Sequence, residues 1–163
     1  MPVLLILPLL AAMLAQTPAQ SSSTYVSAEE IAKTLKESTA NNVVDQPIKA
    51  MDIATPSGHR ASLALLRRTK AETTALIHDR VTEIYQITEG SGTLVTGGTL
   101  ENATPTDLTR LNAGPSRTGT HRGGESRHVG PHDVIIVPAG TAHRFSTLDG
   151  PVITYLVYRF EPK

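Results

Sequence analysis

The chain has 163 residues, with 15 Lys and Arg against 15 Asp and Glu, no Cys, no Trp, four Tyr and two Phe. That is the length of one domain, enough to bury a core unaided, and the missing cysteines exclude disulfides. A formal net charge of zero offers no basic field to a phosphate backbone, and six scattered aromatic side chains build no stacking platform, so nucleic acid is not an expected partner.

The chain opens on an uncharged apolar run from Pro2 to Ala15, shorter than the roughly 20 residues that cross a bilayer as a helix. With small residues at Thr17 and Ala19, residues 1–19 read as a signal peptide cut after Ala19, although no Lys or Arg precedes the run. Pro8 inside the run argues against a buried helix. The expectation is a secreted or periplasmic protein with no membrane attachment after processing. Residues 20–42 then read as a linker and a short helix, in which Ser27-Ala28-Glu29-Glu30 matches a capping box and Ile31 and Leu35 share a face to about Ser38.

From residue 43 to 163 the pattern is one of short apolar or alternating runs. They lie at Ile48 to Ile53, Ala61 to Leu66, Thr73 to Ile77, Glu83 to Thr88, Gly92 to Thr96, Asp133 to Val137, His143 to Thr147 and Val152 to Phe160. Strands at this spacing predict an antiparallel sandwich or barrel. Gly97-Gly98 between Leu94-Val95-Thr96 and Thr99-Leu100 predicts a two-residue hairpin. Glu101 to Val129, rich in Thr, Gly, Pro, Asn and Arg, reads as a long loop.

Two stretches carry the chemistry: His78-Asp79-Arg80-Val81-Thr82-Glu83-Ile84-Tyr85-Gln86-Ile87-Thr88-Glu89-Gly90, and His132 to Phe145 with Pro138-Ala139-Gly140-Thr141-Ala142-His143 at its centre. At an offset of five, His78 and Glu83 face opposite sides of one straight strand, so they converge only across a bend, which Asp79 to Thr82 supplies. Glu83, Tyr85 and Ile87 then point inward together. In the second stretch a β-branched strand leads through a tight turn to His143 at the start of the return strand.

His78-x4-Glu83-x6-Gly90 and Pro138-x-Gly140-x2-His143 resemble the two motifs of the cupin superfamily, in the manner of a small single-domain exported bacterial cupin, over Thr73 to Phe160. The resemblance implies an all-β jelly-roll barrel with a metal held inside by His78, Glu83 and His143. Leu76 stands where the family carries a further histidine, His132 where it has glycine, and Thr147 where it has asparagine. Two imidazoles and a carboxylate form a facial set that leaves coordination positions open for oxygen, water or a chelating substrate. The expected cofactor is one divalent transition metal, with Fe, Mn or Cu ahead of Zn or Ni. Zinc fits if a fourth ligand or water completes a tetrahedron.

Tyr85 is the candidate catalytic residue, its hydroxyl near the metal as a supporting group or proton donor; a plain core tyrosine is the alternative. Phe145, Tyr155 and Tyr158 read as core or pocket lining, and His121 as a loop residue able to reach the site as a further ligand. Two functions stay open. One is a metal-dependent oxidoreductase, dioxygenase-like, acting on a small molecule or carbohydrate. The other is a non-catalytic barrel that binds a metal or small ligand. Pairing into a homodimer through the strand Val152 to Phe160 is a further expectation.

Overall fold

The computed structural model describes residues 23–53 and 58–162, so the segment read as a signal peptide, residues 1–19, lies outside the described residues. Helix α1, Ala28–Asn41, begins where expected: Ser27 Oγ accepts the Glu30 N–H at 3.0 Å. It runs past Ser38 because Asn42 adopts the left-handed conformation, φ 52°, that closes a helix and satisfies its last carbonyls.

Eleven strands follow among the described residues: β1 Asp45–Ile53, β2 His59–Arg68, β3 Ala75–His78, β4 Thr82–Glu89, β5 Gly92–Thr96, β6 Thr99–Asp107, β7 Pro115–Arg122, β8 Glu125–Val129, β9 Val134–Val137, β10 His143–Leu148 and β11 Ile153–Pro162. All pairings are antiparallel, in one sheet ordered β1-β2-β11-β4-β9 and a second ordered β6-β7-β3-β10-β5-β8. The inward-facing side chains of both, including Tyr85, Ile87, Leu94, Val129, Phe145, Ile153, Tyr155 and Val157, make one core. The fold is thus the expected all-β jelly roll with a short N-terminal helix, although the two sheets do not close into a true barrel.

The region Glu101 to Val129 is not a loop. It supplies most of β6 and all of β7 and β8, joined by a 3-10 turn at Thr109–Leu111. Alternation failed to reveal β6 because nearly every residue of it is at least partly exposed, so no apolar face is needed. Strand β7 is held by backbone pairing to β3 and β6 on its two sides.

The predicted hairpin at Gly97-Gly98 is also corrected, since β5 and β6 do not pair with each other. β5 pairs with β8 and β6 with β7, in one continuing register, Thr96 opposite Glu125 and Thr99 opposite Arg122. The two segments form one long ribbon, bent where Gly97-Gly98 meets Gly123-Gly124, all four at positive φ. A Cβ on Gly98 would lie 2.3 Å from the Arg122 carbonyl oxygen, so the corner requires glycine there.

Strand β11 lies at the centre of its sheet, with Ile153, Tyr155, Val157 and Arg159 buried. Tyr158 belongs to the opposite phase. It sits half-buried on the outer face, in register with Leu63, Ile84 and, one strand further, Ile136, so of the two roles expected for it, core or pocket lining, it takes the second, lining the cavity beneath α1. Ile136 at the edge of this row, and Val134 two residues before it on the same strand, are 63% and 61% exposed.

Candidate metal centre

His78 ends β3 in the six-stranded sheet and Glu83 is the second residue of β4 in the five-stranded one. The odd offset between them is resolved because the chain crosses from sheet to sheet in between. Two backbone hydrogen bonds hold the crossing: Asp79 N–H to Pro115 O at 3.0 Å and Gly140 N–H to His78 O at 2.8 Å. The second comes from the turn Pro138–Thr141, which carries the chain back from β9 to β10. Thr141 N–H closes that turn on Pro138 O at 3.1 Å, with Gly140 at φ 79°. His143 follows as the first residue of β10.

The three side chains meet in the interior, His78 4%, Glu83 1% and His143 5% exposed. His78 Nε2 lies 3.4 Å from Glu83 Oε1 and His143 Nε2 3.6 Å from Glu83 Oε2, and the three donor atoms lie within 4.8 Å of one another. Each imidazole is fixed from behind. His143 Nδ1–H donates to the Thr141 carbonyl at 3.0 Å. Ser116 Oγ is within 3.1 Å of Gly114 O and 3.3 Å of Ala113 O, both acceptors, so its single proton is directed there and it accepts from His78 Nδ1–H at 2.8 Å. Both Nε2 atoms are thereby left as electron-pair donors aimed at the Glu83 carboxylate.

Glu83 has partners of its own. Tyr85 OH donates to Oε2 at 2.7 Å and Arg159 Nε to Oε1 at 2.8 Å, Arg159 standing directly opposite Glu83 on β11. The same guanidinium donates to Asp45 Oδ2 at 2.6 Å and to the Leu111 carbonyl at 2.7 Å. Burial pushes the Glu83 carboxyl up, but a proton on His78, then the Arg159 guanidinium and a proton on His143, outweigh it and hold the group well below the usual carboxylate range; with both rings neutral, Arg159 is the cation that does so. Burial, and after it the Glu83 charge, drive the Tyr85 phenol far above its ordinary value. Burial likewise lowers His143, against the pull of Glu83, which keeps the ring neutral.

These residues fit a metal. Bond lengths of about 2.1 Å set neighbouring ligand atoms about 3.0 to 3.4 Å apart, close to the two imidazole-to-carboxylate separations, whereas a charge-assisted N–H to carboxylate bond is shorter, about 2.7 to 2.9 Å. Tyr85 faces the site through Glu83. His121 does not join it: its Nε2 lies 2.7 Å from the Gly97 carbonyl at the ribbon corner. His128 pairs with Asp149 at 2.7 Å on the surface. Leu76, two residues before His78, stands opposite His143 in register, so an aliphatic side chain occupies the place of a further imidazole.

Arg159 and Ser116 were not anticipated. Arg159 was detectable as the one charged residue in the inward phase Ile153, Tyr155, Val157, Arg159; Ser116 had no signal once its strand had been read as loop. Cavities of about 350, 420 and 300 Å³ lie elsewhere: between α1 and the outer sheet face, beside Lys70 to Thr74, and between β8 and β9.

No protein-family model and no curated protein matches the chain. Among solved structures, BH2720 from Bacillus halodurans overlays with a TM-score of 0.52 at 17% identity, over 86% of this chain and 83% of the other. A Thermotoga maritima protein described as a predicted oxalate decarboxylase gives 0.41 at 11% identity, over 74% and 95%. The Streptomyces nucleoside dehydratase Pac13 gives 0.38 at 13%, over 69% and 76%. The Bacillus overlay shows a shared fold.

Proposed function

We propose that this chain, whose fold is that of the cupins, is a metal-binding protein in which His78, Glu83 and His143 hold one divalent transition metal. The observation that carries this reading is the fixed orientation of the two imidazoles, each committing Nδ1–H to an acceptor and presenting Nε2 to the same carboxylate. When bound, Fe, Mn or Cu on such a set supplies Lewis acidity and electron-transfer chemistry; we rank Zn and Ni behind them because two imidazoles and one carboxylate with open positions form the facial set that suits a redox-active ion.

The activity we infer is that of an exported oxidoreductase, dioxygenase-like, on a small molecule or carbohydrate. In it Ser116 and Thr141 orient the imidazoles, Arg159 and Tyr85 fix the carboxylate, and Tyr85 holds a proton at its phenol oxygen beside Glu83. The burial of all three ligands favours a second reading: a barrel that holds the metal without turnover. We also infer a homodimer, joined not through the edge of the strand Val152 to Phe160, which lies at the centre of its sheet between β2 and β4, but through the outer row Leu63, Tyr158, Ile84 and Ile136.

Elemental analysis of the chain purified without chelator, with His143→Ala beside it, tests the site: close to one metal per chain, lost in the variant, is expected. No metal in either protein, and none after incubation with Fe(II), Mn(II) or Co(II), overturns it. Water proton relaxation of the Mn(II)-loaded protein separates the two readings, since only an open coordination position enhances it.

A further inference from the structure

Arg159 is 2% exposed and spans the interior from the candidate metal centre to the start of β1. Its Nε is bonded to Glu83 Oε1 at 2.8 Å, its Nη2 to Asp45 Oδ2 at 2.6 Å, and its Nη1 to the Leu111 carbonyl at 2.7 Å. A guanidinium so placed has no freedom to withdraw, because three elements, β4, β1 and the 3-10 turn, grip it at once. Its charge is a permanent part of the site.

We infer that Arg159 is the built-in counter-ion of Glu83, a positioning residue that keeps the metal-free protein folded and, by holding a positive charge beside the ligands, lowers the affinity for the metal, with Asp45 offsetting part of that charge. The inference rests on the metal reading above.

A carboxylate taken out of water is costly unless a cation meets it. In the metal-free chain the two imidazoles present lone pairs to Glu83, so Arg159 is the cation that meets it. A divalent ion arriving between His78, His143 and Glu83 then meets a carboxylate already half neutralised, and a fixed like charge behind it. Asp45 does not touch Glu83 in this arrangement. It bonds only the far side of the guanidinium, and its carboxylate moderates the repulsion an incoming cation meets.

This gives opposite signs for two variants that break the same ion pair. Arg159→Met removes the positive charge. Asp45→Asn keeps that charge and strips its compensation. A merely structural role makes both variants less stable and moves metal affinity in one direction, or not at all.

The test is titration of the full chain with Co(II), followed by calorimetry and by the visible absorption of the bound ion, together with thermal melts with and without Co(II). Arg159→Met is expected to melt about 10 °C or more below wild type without metal. It should bind Co(II) at least about tenfold more tightly and regain more of its melting temperature on loading than wild type gains. Asp45→Asn is expected to bind Co(II) more weakly than wild type. If Arg159→Met does not fold, Asp45→Asn decides alone: weaker binding supports the inference, equal or tighter binding overturns it. Shifts of the same sign in both variants overturn it while leaving the metal site standing. Absence of Co(II) binding in wild type removes the metal reading and the inference together, and His143→Ala, expected not to bind, identifies the ion's location.

Discussion

Ser116 and His78 occupy paired positions on β7 and β3, and the serine oxygen lies 2.8 Å from the imidazole Nδ1. The hydroxyl dictates which nitrogen carries the proton, since its own proton is drawn to the carbonyls of Ala113 and Gly114. Ser116→Ala leaves the buried Nδ1 unpartnered and the ring free to change tautomer. Metal affinity should fall about 10- to 100-fold with the fold retained, as read by competition with a chromophoric chelator.

Tyr85→Phe removes the hydroxyl that donates to Glu83 Oε2 but keeps the ring, whose centroid is 4.9 Å from that of Tyr155. The loss is one hydrogen bond to a buried charge, about 1.5 to 3 kcal/mol, and a melting temperature several degrees lower is expected. A variant as stable as wild type would show that the phenol does not support the carboxylate.

Leu76→His places a third imidazole on the face shared with His78, opposite His143 in register. Tighter metal binding and a higher metal content after purification are expected; unchanged affinity would mean that the backbone at this position cannot deliver a ligand.

Acid should destabilise the metal-free protein in two stages. His143 is held below its usual 6.5 by burial, so the folded state resists a proton that the unfolded chain accepts. Its share of stability is present above about pH 6.5 and is lost progressively as pH falls below that value. Glu83 is held below its usual 4.5, and its share is lost as pH falls below about 4.5. Thermal melts from pH 8 to 3 should show both declines, with the upper one flattened in His143→Gln. A melting temperature that rises between pH 7 and 5 would contradict the sign for His143.

Gly98→Ala should be strongly destabilising, because the new Cβ meets the Arg122 carbonyl oxygen and Gly98 sits at φ 71°. Gly140→Ala faces open space and carries the conformational cost alone, so the smaller loss is expected there in the same denaturant titration.

The sequence reveals those elements that need one apolar face. The alternation of Glu83, Tyr85 and Ile87 set both the strand and its inward side, and the Pro138 to Thr141 turn announced the approach to His143. Strand β6 was illegible because both its faces meet solvent, which removes the period-2 signal. Reading β7 as loop hid Ser116 as well. Partners across long separations were also invisible: Arg159 reaches Glu83, 76 residues earlier in the chain, and a strand's own periodicity names no partner. Gly97-Gly98 was read as a hairpin and Gly123-Gly124 lay inside the supposed loop, because a bend shared by two distant segments looks locally like a hairpin.

The central position of β11 has a consequence for the birth of the protein. Its neighbours β2 and β4 have no hydrogen bonds to each other and are joined only through it. While the chain is being synthesised, both therefore wait with open edges until residues 153–162 have left the ribosome. The five-stranded sheet, and with it the grip of Arg159 on Glu83, is completed after translation of this segment, and a nascent chain stalled before Ile153 displays two strands with one open edge each to whatever chaperone is near.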